Sequence, residues 1–117
     1  MLRTDGLWYW AEYSTFSISD EVDKYRLSVD RYSGDASNAM MTQEFPDWIS
    51  NGKMYSTPDS DNDDNGDLGH CAWDGGWWHG DCSRSPINRD TYGIWGTWVG
   101  GSWEEDVQAS RMMVRLN

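Results

Sequence analysis

The chain has 117 residues, a length typical of one domain, and its apolar share of 38% is below that of most globular proteins. Nine tryptophans, six tyrosines and two phenylalanines predict a small aromatic core, which a disulfide or a bound metal would reinforce. The net charge of −11 argues against nucleic acid as a partner and against anionic membranes, and no apolar run is long enough to span a bilayer.

The first part of the chain is predicted to form strands. Residues 7–10, 13–18 and 25–29 are rich in aromatic and β-branched residues, and the second and third of these segments alternate with a period of two. The polar residues 19–24 between them form a connection short enough for a hairpin. Residues 36–41 are compatible with one or two helical turns.

Residues 51–89 show no periodicity and are rich in Gly, Asp, Asn, Ser and Pro. An irregular loop of this length inside a compact domain is usually functional or disordered. The cysteines and tryptophans within it argue against disorder, because disordered segments are poor in aromatic residues. We therefore predict an ordered loop region held by covalent and metal links. After it, residues 111–116 are predicted to form a final strand.

An aspartate-rich stretch, residues 59–67, predicts a calcium site. Asp61, Asp63 and Asn65, followed by a glycine, match the opening of a D-x-D-x-N-G calcium loop, in which alternate oxygen-bearing side chains converge on one ion. Carboxylates this close to one another would repel without a cation. The loop is not an EF-hand, because position twelve, counted from Asp61, is Ala72 and not the required glutamate.

The two cysteines, Cys71 and Cys82, flank a segment rich in glycine and tryptophan. They either form a disulfide or, together with His70 and His79, provide four zinc ligands. The disulfide is favoured because neighbouring ligands suit a tetrahedral site poorly and no C-x-x-C spacing is present. Of the two adjacent tryptophans in this segment, one is expected to face the core and the other the surface, as the wall of a ligand pocket.

Several motifs follow one another in a fixed order. The patterns F-S-T-x-D-x-D-N-D, N-C-A and G-x-W-W-x-x-x-C correspond to residues 55–63, 70–72 and 75–82. The patterns A-x-Y-x-x-F, Y-x-L-x-V, Y-S-G, G-I-x-W-x-x-W and M-x-I-R correspond to residues 11–16, 25–29, 32–34, 92–98 and 112–115. In this combination they resemble the fibrinogen-related domain of ficolins, tachylectins, angiopoietins, tenascins and the fibrinogen chains.

The resemblance implies an α+β, fibrinogen C-terminal-like fold that is truncated at its N-terminus. An antiparallel sheet would be followed by a loop-rich calcium-binding subdomain. Residues 1–50 would form the sheet part of the central subdomain, residues 51–92 the calcium and ligand-pocket loops, and residues 93–117 the closing strands. Oligomerisation is expected only through segments absent from this chain.

The resemblance also implies a Ca²⁺ site and a pocket beside it. The calcium ligands would be the side chains of Asp61 and Asp63 and the backbone carbonyls of Asn65 and Asp67, with Asp59 farther from the ion. In lectin members of the family, the peptide before the first cysteine is cis and its N–H groups bind an acetyl group. The implied ligand-binding residues lie beside the Cys71–Cys82 disulfide, with His79 at the rim of the pocket. They are His70, Cys71, Trp78, His79 and Tyr92.

The implied function is calcium-dependent recognition outside the cell. The leading expectation is a secreted, lectin-like module that binds acetylated sugars or related groups in innate recognition. The alternative is a module of the angiopoietin or fibrinogen type that binds a cell-surface protein, since residues 83–89 depart from the family's pocket pattern. Residues 1–6 lack the apolar region of a signal peptide, so we expect the targeting segment to be absent from this chain. An enzyme is not expected, because acidic pairs such as Glu104-Glu105 carry no sign of glycosidase chemistry.

Overall fold

The computed structural model describes residues 1–41, 46–66, 71–89, 93–96, 98–99, 102–103 and 106–116. The described part of the chain contains nine short strands and two 3-10 helices, and each strand pair is antiparallel. The strands are β1 Leu2–Arg3, β2 Ala11–Ile18, β3 Leu27–Gly34, β4 Tyr55–Ser56, β5 Trp77–Trp78, β6 Gly93–Ile94, β7 Trp98–Val99, β8 Ser102–Trp103 and β9 Asp106–Ala109. The 3-10 helices span Pro46–Trp48 and Cys71–Asp74.

The β2–β3 hairpin is the longest paired element, and it confirms the predicted strand, turn and strand. Its turn is closed by side chains, since Ser19 Oγ accepts the N–H of Arg26 at 2.6 Å and Asp20 Oδ1 accepts the N–H of Asp23 at 3.1 Å. The second strand was predicted from residue 25 but begins two residues later. Lys24 and Tyr25 have φ values of 56° and 53°, a left-handed conformation that does not fit a strand.

Three other predicted elements differ from the structure. The strand expected over residues 7–10 is irregular backbone with one bridge from Trp8 to Leu2. It follows a turn at residues 4–6, where Asp5 Oδ1 accepts the N–H of Leu7 at 2.9 Å. The helical turns expected over residues 36–41 reduce to a single turn without a helix. The strand expected over residues 111–116 is wrong, because this segment has no regular secondary structure and pairs with no described strand.

The core is small, as predicted, but among the described residues it combines three tryptophans with aliphatic side chains and is less aromatic than the composition predicted. Leu27 and Val29 of β3 pack with aromatic and sulfur-containing side chains from later in the sequence, among them Met40, Trp77 and Trp95. The remaining sheets are short: β9 lies between β1 and β6, β4 pairs with β5, and β7 pairs with β8. Most of the described residues after β3 therefore lie outside strands, and hydrogen bonds between loops hold many of them in place.

A buried cluster of hydroxyl groups receives the indole of Trp77. Its Nε1–H lies 3.0 Å from Ser50 Oγ and 3.2 Å from Ser85 Oγ, and Ser83 Oγ lies 3.0 Å from Ser50 Oγ. These hydroxyls satisfy the single donor of a large buried side chain. The indole therefore fixes the position of β5, which precedes the disulfide cysteine at residue 82.

Candidate functional site

The aspartate-rich loop is anchored to β4 by Asn62. The backbone N–H of Asn62 donates to Ser56 Oγ at 2.9 Å, and its side-chain Nδ2 donates to the carbonyl oxygen of Tyr55 at 2.9 Å. Reciprocal backbone bonds of 3.0 Å between Thr57 and Ser60 close the turn that leads into the loop. Asn62 was not among the predicted site residues. The sequence signal for its role was an amide within a run of aspartates, because an amide can donate a hydrogen bond to the backbone.

Asp61 and Asp63 lie next to each other on this loop. Asp61 Oδ1 accepts the backbone N–H of Asp63 at 3.2 Å, and Asp63 Oδ1 accepts that of Asn65 at 2.9 Å. The second oxygen of Asp63, Oδ2, is buried and has no hydrogen-bond partner among the described residues. Burial raises the pKa of Asp63 above its ordinary value, and the negative charge of Asp61 raises it further, against the lowering effect of the Asn65 N–H.

The neighbouring acidic residues are engaged elsewhere. Asp59 Oδ1 accepts a hydrogen bond from Thr57 Oγ1 at 2.7 Å, and Asp64 forms an ion pair with Lys53. Asp61 and Asp63 offer carboxylate oxygens to a cation, and their assignment as calcium ligands stays a prediction. Asp67, the fourth predicted ligand, lies outside the described residues.

Cys71 and Cys82 form the predicted disulfide, with their Cα atoms 4.7 Å apart. The zinc alternative is therefore excluded, because both sulfur atoms are bonded to each other. Within the described ranges, one group of three residues of metal-binding type lies close enough to share an ion, and it consists of these two cysteines and Asp81. The same bond removes that group as a metal site.

The disulfide loop and the aspartate-rich loop contact each other directly. The backbone N–H of Asp64 donates to the carbonyl of Gly80 at 3.0 Å, and Asn65 Nδ2 donates to Asp81 Oδ1 at 2.8 Å. Gly80 also lies against the segment that carries Asp47, where a Cβ atom would come within 2.3 Å of the Asp47 carbonyl oxygen. The two loops therefore form one unit, and a glycine is needed where the disulfide loop passes the 3-10 helix Pro46–Trp48.

The predicted pocket residues are more buried than expected. The expectation that one of the two tryptophans faces the surface is wrong, since Trp77 is fully buried and Trp78 is only 8% exposed. Trp78 Nε1 donates to the carbonyl of Tyr25 at 2.8 Å, and the Tyr55 ring packs edge-on against it at a centroid distance of 5.1 Å. Both faces of β5 are therefore covered by protein.

The placement of His79 at a pocket rim is also wrong, because its side chain is fully buried. His79 Nε2 lies 3.0 Å from the carbonyl oxygen of Gly75, within the disulfide loop. Cys71 is buried as well. The other predicted pocket residues, His70 and Tyr92, lie outside the described residues, and so does the peptide bond between His70 and Cys71.

An exposed aromatic side chain was missed by the sequence analysis. Trp73 lies on the 3-10 helix Cys71–Asp74, two residues after the first disulfide cysteine, and is 79% exposed. The N–H of Gly75 donates to the carbonyl of Ala72 at 3.0 Å and closes the turn below it. A tryptophan in a polar loop bounded by cysteines was a usable signal for a contact residue.

Comparison with known proteins identifies relatives along nearly the whole chain. The family described as "Fibrinogen beta and gamma chains, C-terminal globular domain" matches residues 1–116. Protein scabrous of Drosophila melanogaster is 36% identical over 115 residues, which cover 95% of this chain and 13% of scabrous. Human fibroleukin is 31% identical over 129 residues, which cover 95% of this chain and 29% of fibroleukin. The chain thus spans less than a third of either relative.

Solved structures show the same fold. The fibrinogen-like globe domain of human ANGPTL6 matches with a TM-score of 0.67 and 31% identity, covering 88% of this chain and 49% of that one. The corresponding domain of human ANGPTL2 matches with a TM-score of 0.69 and 28% identity, covering 90% of this chain and 51% of that one. Lamprey fibrin D-dimer, solved with the peptide Gly-His-Arg-Pro-amide, matches with a TM-score of 0.70, covering 94% of this chain and 44% of that one. Its identity of 24% supports a likeness in fold alone.

These comparisons confirm the predicted fibrinogen C-terminal-like fold, with its antiparallel sheet followed by a loop-rich region, as a partial domain. Among the residues that the structure describes, none belongs to a helix with the length and apolar character needed to cross a membrane.

Proposed function

The protein belongs to the family of C-terminal globular domains of the fibrinogen beta and gamma chains, and from that premise we propose that it is an extracellular module that binds a protein or peptide. Calcium would hold its recognition loops in place. The proposed activity is binding and not catalysis. The disulfide supports the extracellular location, because such bonds persist in oxidising compartments.

The calcium proposal depends on one observation: Oδ2 of Asp63, beside Asp61, is buried and has no hydrogen-bond partner within the described part of the chain. Burying a carboxylate without a donor or a cation is costly, and hard oxygen atoms are the ligands that Ca²⁺ prefers. The residues present therefore fit the ion. Asp61 and Asp63 would supply side-chain oxygens, and Asn65 and Asp67 backbone carbonyls. The ion would neutralise the aspartate-rich loop and cross-link it.

The recognition surface proposed for a partner is centred on Trp73. Tryptophan is enriched among the residues that dominate binding energy, and a side chain 79% exposed on a cross-linked turn loses little entropy when it is covered. The net charge of −11 favours a partner segment that is basic, through electrostatic steering. A protein or peptide rich in arginine and lysine is therefore the partner class that we propose.

Binding of acetylated sugars is the second candidate, and the motif at residues 70–72 and 75–82 favours it. The burial of Trp78 and His79 removes two of the side chains expected to line the sugar pocket. For this reason we place a protein or peptide partner first. Innate recognition would be the setting of the sugar-binding alternative.

A selection from a random peptide library separates the two candidates. The folded, calcium-loaded protein is expected to enrich peptides rich in arginine and lysine, and EDTA is expected to abolish the enrichment. Trp73→Ala is expected to weaken binding of the selected peptides about tenfold or more, as for a dominant contact residue. The control is Trp8→Ala, which removes an exposed tryptophan outside the disulfide loop.

Beads carrying N-acetylglucosamine provide the other arm of the experiment. The protein is expected to pass through them unretained. Calcium-dependent retention of a folded sample on these beads, with no enrichment of peptides, would overturn the proposal in favour of sugar binding.

A further inference from the structure

In four places within the described ranges, a glycine directly follows an asparagine or an aspartate, at residues 5–6, 51–52, 65–66 and 74–75. In such a pair the backbone nitrogen of the glycine can attack the carbonyl carbon of the preceding side chain and close a cyclic imide, a succinimide. Glycine favours this attack because no Cβ shields its nitrogen. The attack requires a nitrogen that is not engaged in a hydrogen bond and a backbone that can change its conformation.

Three of these glycines are engaged in turns. Their N–H groups donate to backbone carbonyls: Gly6 to Arg3 at 3.0 Å, Gly52 to Leu27 at 2.8 Å and Gly75 to Ala72 at 3.0 Å. The same three glycines have φ values of 80°, 81° and 94°, in the left-handed region. Their nitrogens are therefore occupied, and the turns hold the backbone around them.

Asn51 is also held by its own contacts. Its Oδ1 accepts the N–H of Val29 at 2.9 Å, and its N–H donates to the carbonyl of Met40 at 3.0 Å. The fold therefore restrains both the side chain that would be attacked and the glycine that would attack it.

Asn65 and Gly66 have the same residue types without this protection. The N–H of Gly66 makes no hydrogen bond to any described residue, and Gly66 does not have a left-handed φ. Gly66 is exposed, and a Cβ atom there would meet nothing within 4 Å. The bond from Asn65 Nδ2 to Asp81 Oδ1 lies in exposed surroundings, where water competes for both partners.

We propose that Asn65 is a site of spontaneous deamidation. The Gly66 nitrogen forms a bond to Cγ of Asn65, the Cγ–Nδ2 bond breaks, and the proton of Gly66 passes through water to Nδ2, which leaves as ammonia. Water then opens the succinimide at either of its carbonyls and gives aspartate or isoaspartate. The reaction consumes only water, so the modified fraction increases with the age of the protein.

The modification breaks the side-chain link between the aspartate-rich loop and the disulfide loop. A carboxylate oxygen replaces the Nδ2 donor of Asn65 and faces the carboxylate of Asp81, so an attraction becomes a repulsion. Isoaspartate also adds a methylene group to the backbone directly after Asp64, whose N–H donates to the carbonyl of Gly80 at 3.0 Å. Deamidation is therefore expected to release the aspartate-rich loop.

The effect on calcium rests on the proposed function. If the loop binds Ca²⁺, the modified protein is expected to bind it about tenfold more weakly, as when a group that orients metal ligands is lost. The release of the loop itself does not depend on calcium, and its test is therefore done in EDTA.

Peptide mapping by mass spectrometry tests the proposal. The folded protein is incubated in mildly alkaline buffer with EDTA, and a second sample is incubated in urea with its disulfide reduced. In the folded sample, deamidation at Asn65 is expected to be about tenfold or more faster than at Asn51, because the bonds at Asn51 and Gly52 must break first. In urea the two rates are expected to be similar, since both asparagines precede glycine.

Ion exchange separates the modified fraction by its additional negative charge. Hydrogen exchange at the Asp64 amide is expected to be faster in that fraction than in the unmodified protein. Gly66→Ala is expected to suppress the reaction at Asn65, because the added methyl group shields the attacking nitrogen and has room in the fold. Ser60→Ala, elsewhere on the same loop, is the matched control and is expected to leave the rate unchanged.

Three results would overturn the proposal. Equal rates at Asn51 and Asn65 in the folded protein would show that the fold does not select the site. Absence of deamidation at Asn65 in the folded protein, with reaction in urea, would show that the loop protects it. Unchanged exchange at Asp64 in the modified fraction would show that the loop is not released. A modified fraction with faster exchange at Asp64 and unchanged calcium affinity would support the deamidation site and contradict the proposed calcium loop.

Discussion

Asn65 and Asp81 connect the aspartate-rich loop to the disulfide loop through a hydrogen bond of 2.8 Å between Asn65 Nδ2 and Asp81 Oδ1. A backbone bond of 3.0 Å from Asp64 to Gly80 runs beside it. Asp81 directly precedes the second disulfide cysteine. Cleavage of the disulfide therefore removes a restraint on the position of Asp81, which accepts the hydrogen bond from Asn65. The position of the aspartate-rich loop and the integrity of the disulfide are therefore coupled.

This coupling predicts that reduction of the disulfide weakens calcium binding. The Cys71→Ala/Cys82→Ala double variant is expected to lose about 3 kcal/mol of unfolding free energy, the usual contribution of a disulfide closing a loop of this size. Its calcium affinity, measured by titration calorimetry below its unfolding temperature, is expected to fall about tenfold. An unchanged calcium affinity in a folded, reduced sample would show that the two loops are independent.

Asp63→Asn is predicted to have opposite effects with and without calcium. The amide keeps the acceptor for the Asn65 N–H but removes a buried negative charge and its repulsion by Asp61. In EDTA the variant is therefore expected to unfold at the same temperature as the wild type or a few degrees higher. In millimolar calcium only the wild type is expected to gain thermal stability.

The control for this variant is Asp59→Asn, which changes an aspartate that accepts a hydrogen bond from Thr57. It is expected to retain the calcium-dependent gain in unfolding temperature. Equal calcium responses of Asp63→Asn and the wild type would contradict the assignment of Asp63 as a ligand.

Asn62→Ala is predicted to weaken calcium binding without removing a ligand. The variant loses the bond from Nδ2 to the Tyr55 carbonyl, while the backbone bond to Ser56 remains. Because residues that orient the ligands of a metal typically change its affinity 10–100-fold, we expect a loss of about tenfold. Ser60→Ala removes only a 3.3 Å contact to the same amide and should leave the affinity nearly unchanged.

Local patterns predicted much of this architecture. Alternating apolar residues predicted the β2–β3 hairpin. The disulfide was favoured because the arrangement of histidine and cysteine suits zinc poorly. In each case the deciding contacts lie within a short segment, where sequence spacing determines geometry.

Contacts between distant segments could not be predicted in the same way. Trp78 is buried because its indole reaches the Tyr25 carbonyl, 53 residues earlier in the sequence, and no local pattern reports such a bond. The expected strand over residues 111–116 did not form because a strand requires a neighbour, and composition alone does not supply one. Exposure of Trp73 likewise depends on how the whole disulfide loop folds.

Gly80→Ala is predicted to destabilise the junction between the disulfide loop and the 3-10 helix Pro46–Trp48. A Cβ atom at this position would lie 2.3 Å from the carbonyl oxygen of Asp47 and 3.0 Å from Cε of Lys53. The flexible lysine can move, but the Asp47 carbonyl accepts the N–H of Asp81 at 2.8 Å and is held in place. We expect a loss of about 2 kcal/mol in unfolding free energy, measured by urea denaturation, in the range typical of overpacked sites.

Gly66→Ala is the matched control, because a Cβ atom there meets nothing within 4 Å. The comparison distinguishes crowding at the junction from the general effect of replacing a loop glycine with alanine. The calcium affinity of Gly80→Ala is expected to fall as well, since the carbonyl of Gly80 accepts the N–H of Asp64 and any shift at the junction moves the aspartate-rich loop. Equal stabilities of the two variants would mean that the disulfide loop and the 3-10 helix can separate at no cost, and would contradict the prediction.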